Sequence, residues 1–326
     1  MSQLLKRLLV STSILAGLGA IAPAPSLAAS LTGATIGGSA PYLTYSSGSG
    51  KTFTVANTQA NVQAALDGDS SSPGGNVELF SNSESSSLSA SLSAILTGDF
   101  TSVFSSFGNF LNYNQNTTLS GKIAGQDITL SSLMATDWFG ASAVNSVKVG
   151  IASASAIANP TLRQNAFLAA VAPLYNSSNL ATQWFSDALS NYGFSSNQEL
   201  FTLFVLAGGF QRFSDPNISY VNQDGGTIKI GLAGHYDAAA LFGIESPLGV
   251  PLQASEVVKV IYDGKTQYKY SFNATNSGLT ALDDGISHSG NYEVSVEAVP
   301  EPTTMIGLIL GGSSLIAAKR KSLKKG

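Results

Sequence analysis

The chain contains no cysteine, so a hydrophobic core and hydrogen bonds must hold its fold together without covalent crosslinks. This absence excludes a disulfide scaffold and any zinc or iron–sulfur site with cysteine ligands. Apolar residues fill 44% of the 326 positions and aromatic residues 9%, which is too much for a disordered chain and enough for one or two domains. With only 33 glycines, a collagen-like repeat is also excluded.

The basic residues gather at the two ends of the chain. Lys6 and Arg7 lie near the N-terminus. Five more lie near the C-terminus: Lys319, Arg320, Lys321, Lys324 and Lys325. Without these seven, residues 29–299 keep nine basic side chains against 19 acidic ones, a net charge of −10. Recognition of phosphates needs clustered lysine and arginine, so this acidic body argues against a nucleic-acid ligand.

Residues 1–28 have the pattern of a secretory signal peptide. The two N-terminal cations form a positive start, residues 8–22 form an apolar run, and Ser26-Leu27-Ala28 supplies the small residues that signal peptidase accepts. The pattern predicts cleavage between Ala28 and Ala29. An uncleaved anchor is the alternative, although the apolar run is shorter than the ~20 residues that a spanning helix needs.

Residues 299–326 combine three features in a fixed order. Val299, Pro300, Glu301 and Pro302 come first, and the prolines keep this stretch extended because each fixes φ and lacks a backbone donor. Residues 305–318 form an apolar run that would be ~21 Å long as a helix, short of the ~30 Å core of a bilayer. The basic cluster follows and stays on the cytoplasmic side by the positive-inside bias. We therefore expect a short transmembrane helix below an exported body.

This tail closely resembles the PEP-CTERM sorting signal of Gram-negative bacteria, in which Val-Pro-Glu-Pro precedes a short transmembrane helix and a basic end. The resemblance implies recognition by an exosortase, a membrane-embedded cysteine transpeptidase-like enzyme, and cleavage near Pro-Glu-Pro. Proteins with this signal tend to be exported and found alongside exopolysaccharide and biofilm-matrix production. Parts of residues 254–292 resemble, more weakly, uncharacterised PEP-CTERM proteins, which brings no assigned activity. An ordinary tail anchor and a GPI signal are the alternatives, but a GPI signal needs neither the prolines nor the lysines.

Residues 29–298 are expected to form an α+β body with a β-rich N-terminal portion, central helices and C-terminal antiparallel strands. Eleven serines within residues 70–93 predict a flexible loop. The spacing of apolar residues predicts short helices around residues 88–96 and 103–111. Pro160 predicts the start of a further helix and Pro173 its stop.

Capping and turn signals predict the remaining elements. Ser178 is expected to cap a helix that stops at Gly193, and Ser196 with Glu199 to form a capping box before residues 200–206. In the last third, Asp263-Gly264 supplies the positive φ angles of a type I′ turn between strands at residues 257–262 and 265–272. Further strands are expected at residues 227–232 and 292–296.

The motifs that suggest chemistry are incomplete. Gly48-Ser49-Gly50-Lys51-Thr52 resembles the end of a P-loop, but Tyr45 stands where the first glycine belongs, which favours a turn before a strand. Imidazole can come only from two residues. His235 has Asp237 nearby, but no nucleophile elbow accompanies it. His288 lies in a loop-like stretch and is expected to be exposed.

No cofactor is expected, with calcium as the one alternative. Asp67-Gly68-Asp69 and Asp283-Asp284-Gly285 could donate oxygens to this ion outside the cell, yet neither has EF-hand spacing, and turn formation is the default. Two histidines without metal-ligand spacing argue against a zinc site. A carboxylate pair for glycoside hydrolysis stays open, because only separation in space decides it.

Together these features predict an exported, exosortase-processed protein of the cell surface or extracellular matrix, associated with exopolysaccharide or biofilm and without catalytic residues. The expected partners are signal peptidase and exosortase during processing and extracellular polysaccharide afterwards. Membrane association is expected to be transient. Two alternatives stay open: a secreted polysaccharide-modifying hydrolase with the same sorting signal, and a membrane-anchored adhesin whose tail is never cut.

Overall fold

The computed structural model describes residues 29–80, 100–239 and 249–299, which form an α+β body. Its strands are β1 Ala29–Ser30, β2 Thr32–Gly38, β3 Tyr42–Gly48, β4 Lys51–Val55, β5 Gly75–Leu79, β6 Thr117–Ile123, β7 Gln126–Ser131, β8 Asn217–Asp224, β9 Thr227–Gly234, β10 Val258–Tyr262, β11 Lys265–Lys269, β12 Thr275–Asn276, β13 Thr280–Ala281 and β14 Gly290–Glu297. Its helices are α1 Gln59–Leu66, α2 Phe100–Asn112, α3 Ala135–Phe139, α4 Ala141–Ser155, α5 Pro160–Val171, α6 Leu180–Asn191, α7 Gln198–Leu206 and α8 Gly209–Arg212, with a 3₁₀ turn at Ala172–Leu174.

These strands form two sheets. The larger sheet has the order β12-β14-β9-β8-β5-β3-β4-β13, with β1 paired to β8. The smaller sheet has the order β11-β10-β7-β6-β2, which places β11 at its edge. Within the described ranges, every strand pair is antiparallel except β4 with β13.

One hydrophobic cluster lies between the sheets. It combines Val77 and Ile230 of the larger sheet with Leu130 and Val260 of the smaller sheet, and α1 covers part of it. The side chains of a strand alternate between its faces, so the apolar residues at every second position bury one face of each sheet. Fixing this face also fixes the strand register.

A second hydrophobic cluster holds the helices. Trp138 of α3 packs on Trp184 of α6 and on Phe210 of α8, with ring centroids 6.1 and 4.9 Å apart. The cluster also includes Val257, the residue before β10, and Tyr268 and Tyr270 pack against it. Val258 and Val260 of β10 belong to the first cluster, so this part of the smaller sheet separates the two clusters. The helical layer therefore rests on the outer face of the smaller sheet.

Three predictions of local structure are confirmed. The apolar spacing around residues 103–111 corresponds to α2. Pro160 begins α5 behind the capping residue Asn159, and the helix ends before Pro173. Asp263 and Gly264 have φ angles of 51° and 67°, as the type I′ turn between β10 and β11 requires.

The predicted caps of α6 and α7 are wrong by one residue. Asn179, rather than Ser178, caps α6, and its side chain accepts a hydrogen bond from a backbone amide of the first turn. Asn197 caps α7 in the same way, so Ser196 and Glu199 form no capping box. The residue that leads directly into each helix has the extended backbone of a cap, and its short side chain reaches the amide three positions on.

The predicted serine-rich loop is wrong for residues 75–79, which form β5 in the middle of the larger sheet. Val77 and Leu79 are fully buried there, and this burial outweighs the loop-forming composition around them. Residues 81–93 and the helix predicted at 88–96 lie outside the described residues. The P-loop-like segment is the turn between β3 and β4, as expected.

No helix in the described part of the chain has the length and apolar character that crossing a membrane demands. The transmembrane helix predicted at residues 305–318 and the signal peptide at residues 1–28 lie outside the described residues. The α+β organisation is thus confirmed for the body alone.

Candidate functional site

A cleft of about 550 Å³ lies between the helical layer and the smaller sheet. Helices α3 and α6 form one wall, and the edge strand β11 forms the other. Tyr268 of β11 and Tyr270, the residue after its end, both pack toward the helices, as expected of side chains two positions apart in extended chain. The lining residues are Asp137, Trp138, Phe139, Gly140, Ser178, Asn179, Leu180, Gln183, Thr266, Gln267, Tyr268 and Tyr270.

The carboxylate of Asp137 lines this cleft and is held in place by hydrogen bonds. Its Oδ1 accepts hydrogen bonds from Lys259 Nζ at 2.8 Å and from the Tyr268 hydroxyl at 2.9 Å. Its Oδ2 accepts the backbone N–H of Met134 at 2.9 Å, which ties the carboxylate to the first turn of α3. Strand pairing places Lys259 directly opposite Tyr268, so both donors reach the same oxygen. The Asp137 side chain is only 7% exposed, and its charge is balanced by Lys259.

The second cleft tyrosine is also anchored by a carboxylate. The Tyr270 hydroxyl donates to Asp187 Oδ2 at 2.7 Å. Burial raises the pKa of both Tyr268 and Tyr270, and the neighbouring carboxylates raise it further. Both hydroxyls therefore stay protonated as donors, and the two rings are held in fixed orientations.

Side-chain amides surround the aromatic rings. Asn179 is committed to capping α6, and its Nδ2 donates to the carbonyl of Leu174 at 2.8 Å. Gln183 is exposed and lines the cleft, and its Nε2 donates to the carbonyl of Ser177 at 3.3 Å. Gln267 borders the cleft from β11, but its side chain lies on the opposite face of that strand from Tyr268. Aromatic surface beside amide groups and a neutralised ion pair is suited to binding an uncharged ligand that has both apolar faces and hydroxyls.

His288 is not exposed, so the sequence-based prediction for this residue is wrong. Its Nδ1 lies 2.7 Å from Thr52 Oγ1, and its ring meets Tyr45 edge-on with centroids 4.7 Å apart. Burial lowers the pKa of His288 to about 4; Asp284 opposes this shift, and His235 adds to it. The imidazole is thus a neutral part of the polar layer that covers the larger sheet. The sequence around His288 is typical of an exposed loop, but residues 275–289 fold back over this sheet and bury the ring.

His235 and Asp237 do not show the geometry of a catalytic pair. Burial lowers the pKa of His235. Asp237 Oδ1 accepts the backbone amides of Ala239 and Leu252 at 2.9 and 3.0 Å, so this carboxylate positions the adjoining loop segments. The Tyr292 hydroxyl donates to the backbone carbonyl of His235 and fixes the strand end.

The acidic turns considered for calcium use their carboxylates within the turns. Asp69 Oδ1 accepts the backbone amides of Ser71 and Ser72 at 2.8 and 2.9 Å. Asp284 Oδ1 accepts those of Ile286 and Ser287 at similar distances. Among the residues that the structure describes, no group of three or more metal-ligating side chains could hold an ion.

A second group of carboxylates emerges only from the folded structure. Burial raises the pKa of Glu256 well above its ordinary range, Glu78 and Asp215 raise it further, and hydrogen bonds from Asn217 oppose the rise. Those bonds run from the backbone and side-chain nitrogens of Asn217 to Glu256 Oε2, at 3.1 and 3.3 Å. Glu256 does not line the cleft described above.

Both ends of the body meet at the turn between β8 and β9. Ala29, the first residue after the predicted signal-peptide cleavage, pairs with Gln223 at the end of β8. The amide of Ala298 donates to the carbonyl of Gly226 in the turn at 2.8 Å. The amide of Val299 donates to the Tyr262 hydroxyl at 3.2 Å. Ala28, the motif residues Pro300, Glu301 and Pro302, and the basic tail lie outside the described residues.

The cleft could not be predicted from the sequence, because its walls come from three separate segments of the chain. Two tyrosines one residue apart in a predicted strand were a usable signal, since they had to share a face. Nothing in the spacing connected them to Asp137 or to Gln183. No protein-family model, curated protein or solved structure matches this chain.

Proposed function

We propose that this chain is an exported cell-surface or extracellular-matrix protein, processed by an exosortase at its C-terminal motif and associated with exopolysaccharide. Its body binds a partner and carries out no reaction. The order of segments supports this proposal: a signal-peptide pattern, an acidic body, the Val299 to Pro302 motif, an apolar run and a basic end.

The observation that carries the proposal is the position of the two ends of the body, Ala29 and Val299. The proposed precursor enters the membrane twice, through the signal peptide and through the tail, with its body on one side. Such a body must release both ends toward the same surface. Ala29 and Val299 leave beside the same turn, between β8 and β9, so the fold is compatible with this arrangement.

The test is mass spectrometry of the C-terminal peptide of the protein recovered from the envelope and medium of its native host. We expect a terminus near residues 299–302. A matched variant with Pro300→Ala and Pro302→Ala keeps the apolar run and the lysines, and should retain the intact end. If wild-type protein on membranes still ends at Lys324-Lys325-Gly326, the exosortase proposal fails and a membrane-anchored adhesin is left.

A polysaccharide-modifying hydrolase is the second candidate, and the raised pKa of Glu256 is the observation that favours it. The general acid of such an enzyme has a carboxyl pKa raised above its ordinary range, and burial shifts the pKa of Glu256 in this direction. The test is release of reducing ends from neutral and acidic polysaccharides by wild-type protein and by the Glu256→Gln variant. Release that depends on Glu256 would establish the hydrolase, whereas no release by wild type agrees with a binding protein.

A further inference from the structure

We infer that the cleft between α3, α6 and β11 is a binding site for a neutral pyranose chain. The inference names the partner class of the body, and it rests on the proposed function for the presence of such a chain outside the cell. The chemistry itself comes from the cleft. Its volume of about 550 Å³ lies within the range of small-molecule sites, roughly 300–1,000 Å³, and has room for more than one sugar ring.

The aromatic side chains select a ligand with flat apolar faces. Tyr268 lies in β11 and Tyr270 directly after its end, about 7 Å apart along extended chain, and both line the cleft. Carboxylates fix their hydroxyls, so little conformational freedom is lost when a ligand stacks on the rings. The C–H face of a pyranose is apolar, and it can cover such a ring while its hydroxyls point sideways.

The polar side chains select hydroxyl groups. Gln183 carries one acceptor oxygen and two donor hydrogens. Its Nε2 donates to the carbonyl of Ser177 at 3.3 Å, and the remaining capacity of the amide matches that of a sugar hydroxyl. A purely apolar ligand would leave this capacity unused, at a cost in free energy. An amphipathic, polyhydroxylated ligand satisfies both kinds of surface.

The charges exclude an anionic ligand. Lys259, the cation beside Asp137, is already paired with that carboxylate. Asp187 adds a negative charge behind Tyr270, and the body as a whole carries a net charge of −10. The described residues that line the cleft include no lysine or arginine, so a polyuronate or a phosphorylated polymer would meet repulsion there, and the chain bound here is neutral.

The experiment is isothermal titration calorimetry of the full chain in a detergent without a sugar headgroup. The probes are short neutral gluco- and galacto-oligosaccharides, with oligogalacturonate as the anionic comparison. We expect binding of a neutral probe and much weaker binding of oligogalacturonate. Tyr270→Ala should lower the affinity about tenfold, and Tyr270→Phe should keep most of it because the ring remains.

Two further variants keep the test independent of folding. Gln183 is exposed on α6, so Gln183→Ala should leave the fold intact and still weaken binding several-fold. Lys269 neighbours Tyr270 but lies on the opposite face of β11, and Lys269→Ala should bind as wild type does. Near-ultraviolet circular dichroism checks the fold of each variant.

Three results would overturn the inference: no neutral probe binds, oligogalacturonate binds more tightly, or Gln183→Ala and Tyr270→Ala bind normally while Lys269→Ala loses affinity. These results leave the proposed function intact, because C-terminal processing is measured separately. Conversely, sugar binding by a protein whose tail is never cut would overturn the processing proposal and support this inference.

Discussion

Acid should destabilise the protein through His288, and the effect can be calculated from its surroundings. The residue is 7% exposed, and burial lowers its folded-state pKa to about 4 from the ordinary value of 6.5. A histidine with a depressed folded-state pKa makes its full contribution to the stability of the fold above pH 6.5. This contribution is lost as the pH falls, because the unfolded state takes up the proton first. Each pH unit in this window costs about 1.4 kcal/mol. The loss reaches about 2 kcal/mol at pH 5 and about 3 kcal/mol near pH 4.

The variant His288→Asn removes the titration and keeps the local structure. His288 has a φ of +62°, and asparagine is one of the few residues that tolerate this left-handed conformation. The asparagine side chain ends where Nδ1 now lies, so it can keep the hydrogen bond to Thr52. Loss of the ring contact with Tyr45 should cost about 1 kcal/mol at every pH.

The assay is urea unfolding at pH 7.5, 6 and 5, followed by the fluorescence of Trp138 and Trp184, which are both buried among the helices. We expect the wild type to lose about 2 kcal/mol more than His288→Asn between pH 7.5 and 5. His235 and Asp284 are present in both proteins, so the difference between the two proteins isolates the part of the pH dependence that requires His288. Parallel stability curves would refute a neutral, buried His288.

Two further predictions concern stability. A carboxyl with a raised folded-state pKa favours folding most below its ordinary pKa of 4.5, and this contribution to stability is lost as the pH rises. Glu256→Gln should therefore make the protein more stable at pH 8 and weaken the pH dependence of its stability. Urea unfolding at pH 5 and 8 measures this, and an unchanged dependence on pH contradicts it. Asn179→Ala should lower stability by about 1 kcal/mol through loss of the α6 cap, whereas Ser178→Ala should change it by less than about 0.5 kcal/mol; thermal melts compare the two, and equal losses would contradict the assignment of the cap.

Local signals predicted local structure well. The β10–β11 hairpin follows from Asp263-Gly264, because the turn chemistry fixes both strands beside it. Helix α2 follows from its apolar spacing, which gives one face to bury. The caps at Ser178 and Ser196 failed because serine and asparagine are nearly equal as caps, and composition alone cannot choose between neighbours.

Long-range effects decided what the sequence could not. β5 lies in a serine-rich stretch. It forms because it pairs with β3 on one side and with β8 on the other, and neither strand is its neighbour in the sequence. His288 is buried because residues 275–289 return to cover the larger sheet. The cleft depends on Lys259 and Tyr268 being paired opposite each other and meeting Asp137 from 122 and 131 residues away.

Both ends of the body, residues 29 and 299, lie beside the turn between β8 and β9, so the body can be connected to other protein segments as one unit. A short linker from residue 299 back to residue 29 would close the chain into a ring without moving a strand. Reopening that ring at the exposed Asp263-Gly264 turn would give a permuted protein with the same contacts. The same geometry lets the body be inserted whole into a surface loop of another protein, since its two ends need only a narrow gap between the flanking residues of the host.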